Sequence, residues 1–110
     1  MKYFFIDEIS DSDLIKIEKF LKLNAASSGL EKIFWIELPV NYLRKEQADH
    51  DGQKPYVFAV ECGKDWIKAE FFIRTLGDFK GIYQEYCTPL QREFIAEYIE
   101  NIINELGVKT

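Results

Sequence analysis

The spacing of apolar positions changes several times along the chain, and each change marks an element. Tyr3-Phe4-Phe5-Ile6 is a run of four apolar residues bounded by Lys2 and Asp7. It is too short for a helix and reads as a strand. Ser10-Asp11-Ser12-Asp13 then offers N-cap side chains and acid suited to a helix start. Leu14, Ile17 and Leu21 follow at i, i+3 and i+7, flanked by Ile15 and Phe20, while Lys16, Glu18, Lys19 and Lys22 fill the other positions. That pattern predicts an amphipathic helix of about three turns, ended by Asn24 and Ala25-Ala26-Ser27-Ser28-Gly29.

Ile33 to Leu38 is a second strand pattern, stopped by Pro39. Pro39 alternatively opens a short helix through Val40, Tyr42 and Leu43. Lys45 to Lys54 is polar throughout and reads as an exposed loop. Tyr56 to Cys62 is a near-continuous apolar run, Gly63-Lys64-Asp65 a turn, and Trp66 to Thr75 a longer strand, together a β-hairpin. In the second arm Ile67, Ala69, Phe71 and Ile73 alternate with Trp66, Lys68, Glu70, Phe72 and Arg74. Alternation of this kind buries one face and leaves the other to water or a partner. After the turn Leu76-Gly77-Asp78, Phe79 to Cys87 predicts a further strand, weakened by Gly81.

Thr88-Pro89-Leu90-Gln91 matches a capping box, with Pro89 at the first helical position. Leu90, Phe94, Ile95, Tyr98, Ile99, Ile102, Ile103 and Leu106 follow before Gly107 supplies the stop. These apolar positions span roughly 200° of the helix, about twice the stripe a helix needs to pack on a sheet. The order β-α-β-β-β-β-α predicts an α+β two-layer sandwich, a mostly antiparallel sheet of about five strands covered by two helices. Residues 1–110 are expected to form one such domain.

Composition narrows the function classes. Fifteen per cent of the residues are aromatic, more than a small core readily hides, and the surplus suits a pocket, groove or partner. The net charge is −5 and the largest basic cluster is Arg44-Lys45. Phosphate backbones demand a concentrated cationic footprint, so nucleic acid and anionic membrane are not expected as partners. No apolar run reaches the ~18 residues of a membrane span. No secretory signal pattern is seen, and a cytoplasmic location is the expectation. The two cysteines, Cys62 and Cys87, provide no disulfide framework.

Candidate chemistry is sparse. Cys87 lies just before the capping box, where a helix dipole stabilises thiolate; with His50 as base it would form a nucleophilic or anion-binding pocket. The plainer reading is a small buried side chain closing a strand. Asp49-His50-Asp51 has metal-ligand chemistry, but neighbouring residues rarely converge on one ion and the chain has a single His. No metal or cofactor is therefore expected, and the cluster reads as a hydrophilic loop with an Asp51-Gly52 turn. Glu61, Asp65, Glu70 and Glu85 could supply an acid–base pair, but Glu70 alternates with Lys68 and Arg74 on one strand face, and charge pairing on a wet sheet is the simpler reading. No glycine-rich phosphate cradle occurs.

Two function classes remain. The first is a non-catalytic interaction module, a homodimer or a partner of another protein, with Trp35, Trp66, Phe72, Ile99 and Ile103 as its apolar contact residues. The second is a small enzyme or anion binder with its pocket near His50 and Cys87. The first is preferred, because surplus aromatic surface is present and a catalytic constellation is not.

Overall fold

The computed structural model describes residues 2–27, 29–45, 55–75 and 84–109. Its centre is the hairpin that alternation and turn residues predict. Strand β4, Tyr56–Cys62, turns at Gly63 into an antiparallel arm made of β5, Ile67–Glu70, and β6, Phe72–Thr75. Glycine is needed at the turn because the Trp66 indole lies across it; a Cβ on Gly63 would sit 2.0 Å from the Trp66 ring. The Gly63 N–H donates to the Trp66 carbonyl at 2.8 Å.

The arm is kinked where a single strand was expected. Val60 pairs with Ala69, and Val57 with Arg74. Three steps along β4 therefore answer five along the arm, and the extra residues form a bulge around Phe71. Because the excess is even, Ile67, Ala69, Phe71 and Ile73 still share the buried face. The bulge also hands the arm from one outer neighbour to another. Strand β1, Tyr3–Ile6, pairs with β5, whereas β7, Gln84–Tyr86, pairs with β6. At the handover the Phe71 N–H donates to the Lys2 carbonyl at 2.9 Å, and the Phe71 carbonyl accepts from the Cys87 N–H at 3.1 Å.

On the other side of β4 lies β3, Ile33–Glu37, and beyond it β2, only Ala26–Ser27. That two-residue strand has no apolar pattern to announce it. The sheet order is β1-β5-β4-β3-β2, with β6 beside β4 and β7 outside β6, and every pairing is antiparallel. Leu38 continues the β3 ladder by donating to the Tyr56 carbonyl at 2.8 Å. Pro39 then leads a single 3-10 turn, Val40–Tyr42. Of the expected strand Phe79–Cys87, residues 79–83 lie outside the described residues.

Helix α1, Asp11–Asn24, begins at Ser10, whose hydroxyl accepts from the Asp13 N–H at 3.2 Å. Helix α2, Pro89–Glu105, begins at the predicted capping box. The Gln91 N–H donates to Thr88 Oγ1 at 3.1 Å, and the Thr88 N–H to Gln91 Oε1 at 3.0 Å. Gly107, at φ 66°, closes the helix. Val108 N–H reaches back to the Ile103 carbonyl at 3.0 Å and Gly107 N–H to Asn104 at 3.2 Å, a Schellman pair that satisfies end carbonyls. Both helices cover the same sheet face: Leu14, Ile17, Leu21, Ile95, Ile99 and Ile102 share one apolar cluster with Phe34, Phe58, Val60, Ile67 and Ile73. The fold is the α+β sandwich that the sequence predicts, with its second sheet face uncovered by either helix.

Candidate interaction surface

The uncovered face carries the side chains that alternate with the core positions. On β1 these are Tyr3 and Phe5, on the arm Trp66, Lys68, Glu70, Phe72 and Arg74, on β3 Trp35, and on β7 Tyr86. Beneath them β4 contributes Val57 and Ala59, which are 1% and 5% exposed although they point away from the helices. Register explains the cover: Ala59 stands opposite Trp35, and Val57 opposite Arg74. The guanidinium carbon of Arg74 lies 5.8 Å from the Trp35 ring centroid and 5.1 Å from that of Phe72. Phe72 meets Tyr86 edge-on at 5.1 Å.

A second cluster lies at the β1 end. Lys68 Nζ lies 5.4 Å from the Tyr3 ring and 5.7 Å from the Trp66 ring. Phe5 packs 5.7 Å from Trp66, and Tyr3 6.3 Å from Phe5. Cations over rings in this manner are worth about 0.5–1 kcal/mol each when exposed, so they organise the face more than they stabilise the fold. The charges are largely spent internally. Arg74 Nη2 donates to Glu70 Oε2 at 2.7 Å, and Lys68 lies 3.4 Å from Glu61. Between the clusters, where β7 ends and β1 begins, a groove of about 310 Å³ is lined by Tyr3, Lys68, Glu70, Phe72, Arg74 and Tyr86, with Lys2 at its edge.

The sequence-derived contact residues divide between two places. Trp35, Trp66 and Phe72 stand half-buried on this face. Ile99 and Ile103, at 1% and 9% exposure, are spent on the chain's own core. The wide apolar arc of α2 finds cover within the chain. Its flank, Phe94 and Tyr98, packs on Phe58, and Phe94 also stacks 4.6 Å from Tyr42 of the 3-10 turn. Leu90 alone of that arc stays mostly exposed, at 55%. Tyr3, Phe5 and Tyr86 belong to the surface although no sequence pattern singled them out. Strands of three or four residues show too little alternation to reveal which side chains face out.

The alternative pocket has one member on view. Cys87 is half-buried against the core at the start of α2, and His50 lies outside the described residues. Burial pushes the Cys87 thiol up to about 12, against a small opposing pull from Arg92. Burial, reinforced by Glu18, does the same to Cys62, also to about 12. Neither thiol supplies a thiolate at neutral pH. Among the described residues no group of His, Cys, Asp and Glu converges as metal ligands, and no helix is long and apolar enough to cross a membrane. No known protein family, curated protein or solved structure matches the chain.

Proposed function

We propose that the chain is a non-catalytic interaction module that self-associates through the uncovered sheet face and its rim. The observation that carries this reading is the pair of aromatic clusters on one face, Trp35, Phe72 and Tyr86 on one side of the groove and Tyr3, Phe5 and Trp66 on the other. Large aromatic side chains on a rigid sheet offer contact area at little entropic cost, and they are enriched in protein interfaces. Internal pairing of Glu61, Lys68, Glu70 and Arg74 lowers the penalty of removing that face from water, since few charges would be left alone on burial. A pocket built on Cys87 is less well supported, because burial holds its thiol protonated.

Light scattering between about 10 and 300 µM tests the proposal, a range that brackets interfaces of modest area. The expected result is a mass that rises from one copy toward two. Phe72→Ala and Trp66→Ala shift that transition to higher concentration when the face itself is covered, and Phe5→Ala does so when the contact lies at its rim. A single-copy mass throughout the range overturns self-association.

A further inference from the structure

We infer that two copies join through the outer edge of β1, antiparallel across a two-fold axis, so that their sheets run on into one. This rests on the self-association reading and places the contact at the rim of the open face, at Tyr3 and Phe5, leaving Trp35, Phe72 and Tyr86 outside the junction. Among the described residues β1 is paired on one side only, with β5. The Lys2 carbonyl accepts from Phe71, and hydrogen-bonding direction alternates along an antiparallel pair. Phe4 and Ile6 therefore bond inward to β5, while the N–H and C=O groups of Tyr3 and Phe5 point out from the edge. The side chains are unspent as well: Tyr3 is 46% and Phe5 47% exposed, and a groove of about 610 Å³ runs beside Lys2, Tyr3, Phe4 and Phe5.

Edge strands are commonly defended by an inward charge, a proline or a bulge. Tyr3–Ile6 has none of these. The other outer edges are shorter: β2 has two residues, which pair with Phe34 and Trp35 and leave only the ends of β3 beyond them, and β7 has three.

Charge selects the occupant and the direction. The strand begins with Lys2 and ends with Asp7-Glu8, all exposed. An antiparallel copy brings the cationic start of each strand beside the acidic end of the other, and a parallel copy stacks like on like. A two-fold axis perpendicular to the sheet keeps both uncovered faces on one side only if residues of equal parity stand opposite. The register centred on Phe5 meets that condition. It sets Phe5 against the partner's Phe5, Tyr3 against the partner's Asp7 and Lys2 against the partner's Glu8, and it forms roughly six main-chain hydrogen bonds. On the helix side, Phe4 and Ile6 are only half-buried at the rim of the core. This register places Phe4 beside the partner's Ile6 and closes that rim. On the other side Tyr3 and Phe5 join their counterparts in one aromatic row. Glu8, at φ 58°, turns the chain away and limits the pairing to this length. So short a junction covers less than the ~800 Å² per copy of an ordinary interface, so the dimer is micromolar and reversible.

A charge-swap experiment tests the geometry. Lys2→Glu and the double substitution Asp7→Lys with Glu8→Lys each place like charges at both ends of the junction. Each should weaken self-association by about tenfold, and an equimolar mixture should recover the original affinity as a heterodimer. In parallel, amide exchange followed by NMR on the unmodified chain should show the Tyr3 and Phe5 N–H groups slowing as concentration rises. A dimer whose Tyr3 and Phe5 amides exchange at solvent rates at every concentration, or whose charge-swapped mixture recovers nothing, overturns the edge pairing while self-association stands. A chain that stays single at all concentrations overturns both.

Discussion

Gln91 is the residue whose replacement tests the architecture of the α2 start most severely. It is 1% exposed, yet it is polar, and its amide has two distinct duties. Its Oε1 accepts from the Thr88 N–H at 3.0 Å, completing the capping box. Its Nε2 donates to the Tyr42 carbonyl at 3.0 Å, tying the helix start to the 3-10 turn after β3. Gln91→Met keeps the volume and removes both bonds. A donor or acceptor left without a partner costs about 1–3 kcal/mol when buried. Thr88 and Tyr42 are only half-buried, so the lower end applies to each, and the sum is about 2–3 kcal/mol. Thr88→Ala removes only the hydroxyl acceptor and should cost about 1 kcal/mol. Urea unfolding followed by circular dichroism reads the difference. With a slope near 1–2 kcal/mol/M for a domain of this size, Gln91→Met lowers the midpoint by about 1–3 M. The double variant should lose at least about 0.5 kcal/mol less than the sum of the single losses, because the two side chains complete one reciprocal motif. If Gln91→Met is no more destabilising than Thr88→Ala, the bond to Tyr42 contributes nothing and the account of this corner is wrong.

Other predictions follow from the thiols and the glycines. Burial raises Cys62 and Cys87 to about 12 in the folded chain, whereas an unfolded thiol titrates near ~8.5. The unfolded state thus holds fewer protons between those values, and stability should fall as pH rises through that window, by up to ~1.4 kcal/mol per pH unit for each thiol; urea midpoints that do not fall from pH 9 to 11 would contradict the burial. Alkylation of Cys87 in a Cys62→Ser background should be slow at pH 7.5 and accelerate on adding urea, and fast native labelling with an apparent pKa below ~8.5 would restore the nucleophile reading. Gly107 has φ 66° with open space around it, so Gly107→Ala should cost only the left-handed backbone penalty, about 1 kcal/mol, with Gly107→Asn costing less. Gly63→Ala must displace the Trp66 ring and should shift the emission of Trp66 in a Trp35→Phe background.

Much of this fold was legible in one dimension, because local rules decide it. Amphipathic spacing and capping side chains set α1 and α2, for α2 down to Thr88 and Gly107, while for α1 the structure chose Ser10 among the candidates Ser10 to Asp13. Continuous and alternating apolar runs set β4 and its partner arm, and the alternation of Ile67 to Arg74 already separated a buried face from an open one. Other features belong only to the tertiary structure. The two-residue excess around Phe71 depends on β1 and β7 meeting end to end on one edge, residues far apart in sequence. The wide apolar arc of α2 suggested exposed surface until Phe58 and Tyr42 were seen to cover its flank, which moves Ile99 and Ile103 into the core. Tyr3, Phe5 and Tyr86 joined the candidate surface because strand pairing, which no short run specifies, decides which way their side chains point. Composition alone announced that aromatic rings exceeded what a small core holds. Where the excess lies, on the one sheet face that neither helix reaches, follows from both helices packing on the same side, a choice made by their joint burial and not by either sequence segment alone.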